Sequence, residues 1–287
     1  MSRVAYVNGR FVAHGDAAVH IEDRGYQFAD GVYEVVLVQD GALVDEGPHL
    51  DRLDRSLGEL RIDSPMSRPS LRSVMRELIR KNRIRNGLVY MQVTRGVSRR
   101  DHPFPKGVKP AIVLTAKRIA PTKPEVVENG VKVITIPDIR WKRCDIKTVS
   151  LLPNVLGKQQ ARESGAYEAW QVDDDGNVTE GTSTNAWIVT KDNELVTRNA
   201  NENILNGITR LSILRLAERE GLKFVERPFS VQEALDAKEA FVSSATSFVT
   251  PVTQIDETVI GNGKAGSMSV QLRGSYLSYA ASEGRTL

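Results

Sequence analysis

Two dipeptides constrain this chain more than any other feature. Asn8-Gly9 and Asp40-Gly41 each interrupt runs in which apolar and polar residues alternate, Val4–Val12 and Val32–Val44. Alternation with period two describes a half-buried strand, and Asn-Gly or Asp-Gly supplies the two positive φ angles of a two-residue hairpin turn. Strands joined by tight turns pair antiparallel, so the chain reads as α+β with antiparallel or mixed sheets, and a doubly wound parallel sheet is excluded.

The rest of the first half fits that reading. Leu50, Leu53, Leu57 and Leu60 recur at helical spacing, and Val74, Met75, Leu78 and Ile79 share one face of a second helix. Leu88–Thr94 and Ala111–Lys117 read as strands. Ile119–Glu125 carries two prolines and no apolar period, so it reads as a linker between a domain over 1–118 and a larger α+β domain over 126–287. In that second domain Val131–Ile136, Tyr167–Val172, Asn185–Val189 and Phe241–Ser244 read as strands, with a hairpin near Asp192-Asn193. Pro153–Glu163, Thr209–Glu220 and Ser267–Ala281 read as helices, the first two ended by Gly165 and Gly221.

Composition narrows the class of protein. With 287 residues, 39 Lys+Arg against 36 Asp+Glu and 40% hydrophobic residues, the chain is an ordinary globular one. Its longest apolar runs, around Val35–Val38 and Ala111–Ala116, fall far short of the roughly 20 residues a membrane helix needs. The polar N-terminus and the single cysteine, Cys144, point to a soluble cytoplasmic protein without disulfides.

Several motifs fail on inspection. Gly261-Asn262-Gly263-Lys264-Ala265-Gly266 matches G-x-G-x-x-G but stands too near the C-terminus for a second strand, and reads as a surface turn. Asp173-Asp174-Asp175-Gly176-Asn177 lacks the glycine position and the twelfth-residue glutamate of a calcium loop, and reads as a hairpin turn. The four histidines have no metal-ligand spacing, so no metal is expected. Arg68, Arg72, Arg76, Arg80, Lys81, Arg83 and Arg85 form a basic run with one acid, Glu77. A non-enzymatic nucleic-acid binder would use it as a phosphate stripe; with a nearly balanced net charge it reads as a solvated helix face, and no nucleic-acid or membrane partner is expected.

Six further segments look unlike generic core. They are Asp23–Glu34, His49–Leu53, Arg100-Asp101-His102, Asp145-Ile146-Lys147, Thr179–Asn185 and Leu205–Arg210. In these, from about Tyr6 to at least Pro251, the chain resembles the fold type IV pyridoxal-phosphate aminotransferases, most closely the D-amino-acid aminotransferases. The resemblance implies a two-domain α+β fold, pyridoxal 5′-phosphate as cofactor, a homodimer, and transfer of an amino group from a D-amino acid to a 2-oxo acid such as 2-oxoglutarate.

It also implies roles. Lys147 resembles the lysine that bonds the cofactor aldehyde and then serves as acid and base; Lys158, inside a helical stretch, is the weaker rival. Glu180 resembles the carboxylate that keeps the pyridine nitrogen protonated. Ile208 and Thr209 open a helix whose free N–H groups suit a phosphate, and Arg52 adds a guanidinium. Ser244, Ala245 and Thr246 match a further phosphate segment, with one departure: the D-amino-acid enzymes carry a hydroxyl at the middle position. Ala245 keeps only its N–H, so weaker or rearranged cofactor binding is expected. Leu205 resembles the apolar residue against the cofactor ring. Tyr33, Arg100 and His102 match the set that traps the substrate carboxylate, in a loop that reaches the active site across the subunit interface. That set argues against a branched-chain L-amino-acid aminotransferase and an aminodeoxychorismate lyase; an (R)-selective amine transaminase remains the other alternative.

Overall fold

In the computed structural model, which describes residues 3–283, the chain forms two compact units. The first comprises residues 3–120, Ile146–Ser150 and residues 280–283. Its strands are β1 (Val4–Val7), β2 (Arg10–Ala13), β3 (Gly31–Gln39), β4 (Ala42–Leu43), β5 (Gly87–Thr94) and β6 (Ala111–Arg118), and its helices α1 (Arg24–Phe28), α2 (Glu46–Glu59) and α3 (Arg68–Asn82). The six strands form one antiparallel sheet in the order β2-β1-β6-β5-β3-β4. Both hairpins turn as the sequence requires, with φ of +45° at Asn8, +94° at Gly9, +50° at Asp40 and +90° at Gly41. The leucine stripe of α2 and Leu71, Met75 and Leu78 of α3 bury against Val32, Val36, Val89, Met91 and Leu114 of the sheet. Burying each such side chain stabilises the fold by about 1.5–3 kcal/mol.

The second unit comprises Pro121–Asp145 and Leu151–Tyr279. Its strands are β7 (Val131–Pro137), β8 (Glu168–Val172), β9 (Val178–Gly181), β10 (Asn185–Val189), β11 (Leu195–Thr197), β12 (Phe224–Glu226), β13 (Glu239–Ser244), β14 (Phe248–Ile255) and β15 (Thr258–Val259). The sheet is mixed, in the order β12-β11-β10-β13-β14-β7-β8-β9, with β15 on β14 and parallel pairs at β11/β12, β14/β7 and β7/β8. The helices are α4 (Pro124–Asn129), α5 (Leu152–Glu163), α6 (Ile208–Arg219), α7 (Val231–Leu235) and α8 (Ser267–Glu283). No helix among the described residues is long and apolar enough to cross a membrane.

The domain reading needs two corrections. Residues 119–125 are not simply a linker: α4 starts at Pro124, where a proline suits the first helical turn. Ile146–Ser150 does not group with residues 126–287 but with the first unit. Thr148 bridges Val32, and Val149 N–H donates to the Gly31 carbonyl at 3.1 Å. Such pairing across more than a hundred residues leaves no trace in local periodicity.

Candidate active site

The first unit places Lys147 by its main chain. The Tyr33 N–H donates to the Lys147 carbonyl at 3.0 Å, and the Lys147 N–H donates to Ser56 Oγ at 3.4 Å. The Lys147 ammonium lies 4.2 Å from the centroid of the Tyr33 ring, a cation–π contact that holds the amine on one side chain. Tyr33 in turn lies 5.8 Å from the ring of Tyr90, whose hydroxyl donates to Gln92 Oε1 at 2.7 Å. Burial, with Tyr33 adding to it, pushes the Tyr90 phenol up to about 12. Gly31 is required at the start of the strand, because a Cβ there would meet the Val93 carbonyl at 2.7 Å.

Arg52 stands on α2 opposite Glu34. The pleat of β3 sends Glu34 to the same face as Val32 and Val36, so a fully buried carboxylate sits in the core layer. Arg52 answers it with a fork, Nε to Oε1 and Nη2 to Oε2, both 2.8 Å, and His49 Nδ1 lies 2.7 Å from Oε2. The orientation of the Arg52 guanidinium is thereby set by Glu34. Burial works against the Glu34 charge, but Arg52 and His49 outweigh it and hold the carboxyl at about 2. A depressed folded value contributes stability that is fully present above the unfolded value near 4.5 and lost as pH falls toward 2. That contribution is of order 3 kcal/mol. In acid unfolding followed by circular dichroism, Glu34→Gln is expected to flatten the fall in stability between about pH 4.5 and 2; an unchanged slope contradicts this.

Arg100 and His102 gather on Phe28. The Arg100 guanidinium lies 4.5 Å from the Phe28 ring centroid and the His102 ring 5.4 Å from it. The loop is tied down by Arg24, which donates to the carbonyls of Asp101 at 2.5 Å and His102 at 3.2 Å and pairs with Asp30 at 2.8 Å. Arg95 grips the same Asp30. Burial raises the Asp30 carboxyl, yet Arg95 and Arg24 together bring it below its ordinary value. The first unit thus presents Tyr33 with Lys147, and Arg100 with His102, as two groups.

In the second unit the sequence expectations converge on Glu180, at the end of β9. Its carboxylate is nearly buried and accepts from Arg140 Nη1 at 2.5 Å, Asn185 Nδ2 at 3.0 Å and the Leu205 N–H at 3.1 Å. Asn185 also donates to the Leu205 carbonyl at 3.0 Å, so Leu205 is fixed beside Glu180 by its main chain. Arg140 is the residue that the sequence reading missed. It spans Glu180, Asp138, Thr179 and the Asn203 carbonyl. Burial opposes its charge, but Glu180 and then Asp138 push its pKa up, while Asp138 itself is lowered once Arg140 outweighs its burial.

The anion-binding candidates lie in the same unit. Gly207 is the N-cap of α6 and no side chain caps it, which leaves the first amides of the helix, at Ile208 and Thr209, for an anion. A Cβ at Gly207 would stand 2.1 Å from Asn185 Oδ1, so glycine lets the helix start approach Asn185. Asn185 opposes Ser243 across β10 and β13, which brings the Ser244-Ala245-Thr246 turn to the same sheet end. Ser244 Oγ accepts from the N–H groups of Thr246 at 3.3 Å and Ser247 at 3.1 Å. These residues fit pyridoxal phosphate: a buried carboxylate held by three donors suits a protonated ring nitrogen, and an uncapped helix start suits a phosphate.

The rejected features are structural. The Lys158 ammonium donates to the Tyr167 carbonyl at 2.5 Å, with Glu168 at 3.4 Å. In the basic run Arg68 pairs with Asp51 and Asp54, Arg72 and Arg76 with Glu46, Arg80 and Lys81 with Glu77, and Arg85 with Asp40. Six of the seven basic residues of the run thus have an acidic partner. Gly261 and Gly263 take positive φ in the loop before α8.

Residues 31–255 match the family described as amino-transferase class IV. The chain is 44% identical over 263 residues to a D-alanine aminotransferase of Bacillus licheniformis, covering 91% of this chain and 92% of that relative. It is 42% identical over 279 residues to one of Staphylococcus haemolyticus, covering 96% and 98%. Among solved structures it is similar to the branched-chain amino acid aminotransferase of Escherichia coli, with a TM-score of 0.91 at 23% identity over 100% of this chain and 97% of that one. It is also similar to the T.th. branched-chain amino acid aminotransferase with pyridoxamine 5′-phosphate, with a TM-score of 0.90 at 23% identity over 100% and 96%. At that identity the structures establish the shared fold, and the family match over most of the chain establishes the family: this protein is a member of the class IV aminotransferases.

Proposed function

We propose that this class IV aminotransferase transfers the amino group of a D-amino acid, with D-alanine the reference donor, to a 2-oxo acid such as 2-oxoglutarate. The observation that carries the choice of donor is the near-full-length similarity to proteins named D-alanine aminotransferase. Pyridoxal phosphate, when bound, supplies an aldehyde for the amino group and a ring that takes up the electron pair left by the departing α-proton. Every other part falls to residues of this protein.

Lys147 Nζ takes the substrate α-proton as base and then gives it back as acid. Glu180, oriented by Arg140 and Asn185, keeps a proton on the ring nitrogen. Leu205 packs beside it. Ile208 and Thr209 supply amides and one hydroxyl to the phosphate, joined by Ser244, Thr246, the Ala245 N–H and Arg52. Tyr33, Arg100 and His102 hold the substrate carboxylate by hydrogen bonds and charge. The support for the last assignment is the tied loop: Arg24 holds the carbonyls of Asp101 and His102, between and beside the two side chains.

A homodimer belongs to this reading, with the Arg100–His102 loop reaching the partner's active site. Large apolar side chains left in solvent around that loop and α1, at Ile21, Tyr26 and Val97, support it. A cytoplasmic location is also part of the reading, in keeping with one cysteine and no possible internal disulfide. The test is product chirality. With D-alanine and 2-oxoglutarate the expected products are pyruvate and D-glutamate, resolved by chiral chromatography; L-glutamate as the sole product contradicts the proposal.

A further inference from the structure

Arg273, on α8 in the second unit, is a buried cation. The residue is 7% exposed. Its guanidinium donates from Nη1 to two main-chain carbonyls, Ser247 at 3.2 Å and Val249 at 2.5 Å, and its carbon lies 5.5 Å from the Phe248 ring centroid. Among the described residues no acidic side chain pairs with it. The ionisable group that acts on it is the Tyr167 phenol, which hydrogen-bonds Ser247 and which burial pushes up. Every other strongly buried arginine of this unit has an acid: Arg140 has Asp138 and Glu180, Arg198 has Asp173, and Arg210 has Glu226.

An arginine stays charged at neutral pH, and a buried charge without a counter-ion is costly. The carbonyls that Arg273 grips begin one residue past the Ser244-Ala245-Thr246 turn. That turn is held by Ser244 Oγ on one side and, on the other, by the Ser247 carbonyl, which also accepts from Thr250 Oγ1 at 2.8 Å. Phe248, which follows, takes a left-handed φ of +56°, a conformation that a side-chain-bearing residue keeps only when its surroundings enforce it. The main chain here is therefore fixed from behind by a cation whose charge is left over.

We propose that Arg273 is a positioning residue for the cofactor phosphate: it fixes the main chain behind the Ser244–Thr246 turn and leaves a positive charge there that a phosphate dianion neutralises. The inference rests on the reading of that turn as a phosphate ligand. It also accounts for Ala245, since a buried charge behind the turn offsets the loss of one hydroxyl from its front.

The test separates the phosphate from the rest of the cofactor. The full-length protein, stripped of cofactor, is titrated with pyridoxal 5′-phosphate and with pyridoxal, following quenching of tryptophan fluorescence. The wild type is expected to prefer the phosphorylated form strongly. Arg273→Met should shrink that preference by about tenfold or more, while leaving pyridoxal affinity within about threefold. Arg273→Lys, which keeps the charge but not the fork, should retain the preference within about threefold. An unchanged preference in Arg273→Met overturns the inference and leaves the phosphate reading intact. A wild type with no preference overturns the phosphate reading itself and the inference with it. If the methionine variant does not fold, loss of the preference in a folded Arg273→Lys protein overturns the charge role.

Discussion

Lys147→Ala is expected to lower turnover by about four orders of magnitude and to remove the visible absorption band of the bound cofactor. The side chain does little else in the structure. Its amine contacts the face of Tyr33, and the segment around it is held by main-chain bonds from Tyr33 and Val149 and by the Val32–Thr148 bridge. Alanine keeps all of those main-chain bonds, so the melting temperature of the variant should stay within a few degrees of the wild type. Lys147→Arg keeps a positive charge but not an amine that deprotonates near neutral pH, and should not restore turnover. Lys158→Ala is the control, because its amine serves the Tyr167 carbonyl and Glu168, and its turnover should fall only a few-fold. Normal turnover in Lys147→Ala contradicts the assignment.

Arg140→Met should be the most damaging change to the second unit. Arg140 is the shared partner of Asp138 and Glu180, both largely buried. Removing it takes from both carboxylates the cation they share, a loss of about 3–5 kcal/mol for a broken buried ion pair. Methionine refills part of the volume but supplies no donor. Glu180 retains Asn185 and the Leu205 amide, so it is not lost from the site, but its orientation is no longer fixed from the Arg140 side. The expected outcome is a fall in unfolding free energy of that size in urea, with kcat reduced about 10–100-fold in the protein that remains folded, as for other residues that orient a functional group. Stability within about 1 kcal/mol of the wild type would show that the triad is not what holds this corner together.

The parts of the fold that the sequence disclosed are those with local causes. Asn8-Gly9 and Asp40-Gly41 turn because their φ angles demand it, and α2, α3, α5 and α6 follow their apolar spacing and end near Leu60, Arg83, Gly165 and Gly221. The strand β14 is not legible because Pro251 interrupts it and its register with β7 shifts between Val252 and Gln254. The short strands β9, β11 and β12 hold three or four residues each, too few for a period to show.

The same division applies to the site. Lys147, Glu180 and the Ile208-Thr209 helix start are named through the resemblance, and the structure shows the local reason for each placement. Glu34 carries a signal that is easily passed over: a carboxylate at the position in β3 where Val32 and Val36 face the core. Arg140 stands seven residues before Lys147, yet its bond to Glu180 spans forty residues and nothing local announces it. Arg273 carries no signal, since one arginine in a terminal helix looks like any solvated charge until its burial is seen.

The central claim is the coupling of a cofactor-bearing Lys147 to one hand of substrate. The most direct measurement mixes the purified, cofactor-loaded protein with D-alanine or with L-alanine, without any 2-oxo acid, and follows the visible absorption of the bound cofactor. Loss of the band with D-alanine alone is the predicted result, with one equivalent of pyruvate released per active site. Loss with L-alanine alone would contradict the account, and would mean that Tyr33, Arg100 and His102 do not hold the carboxylate as assigned.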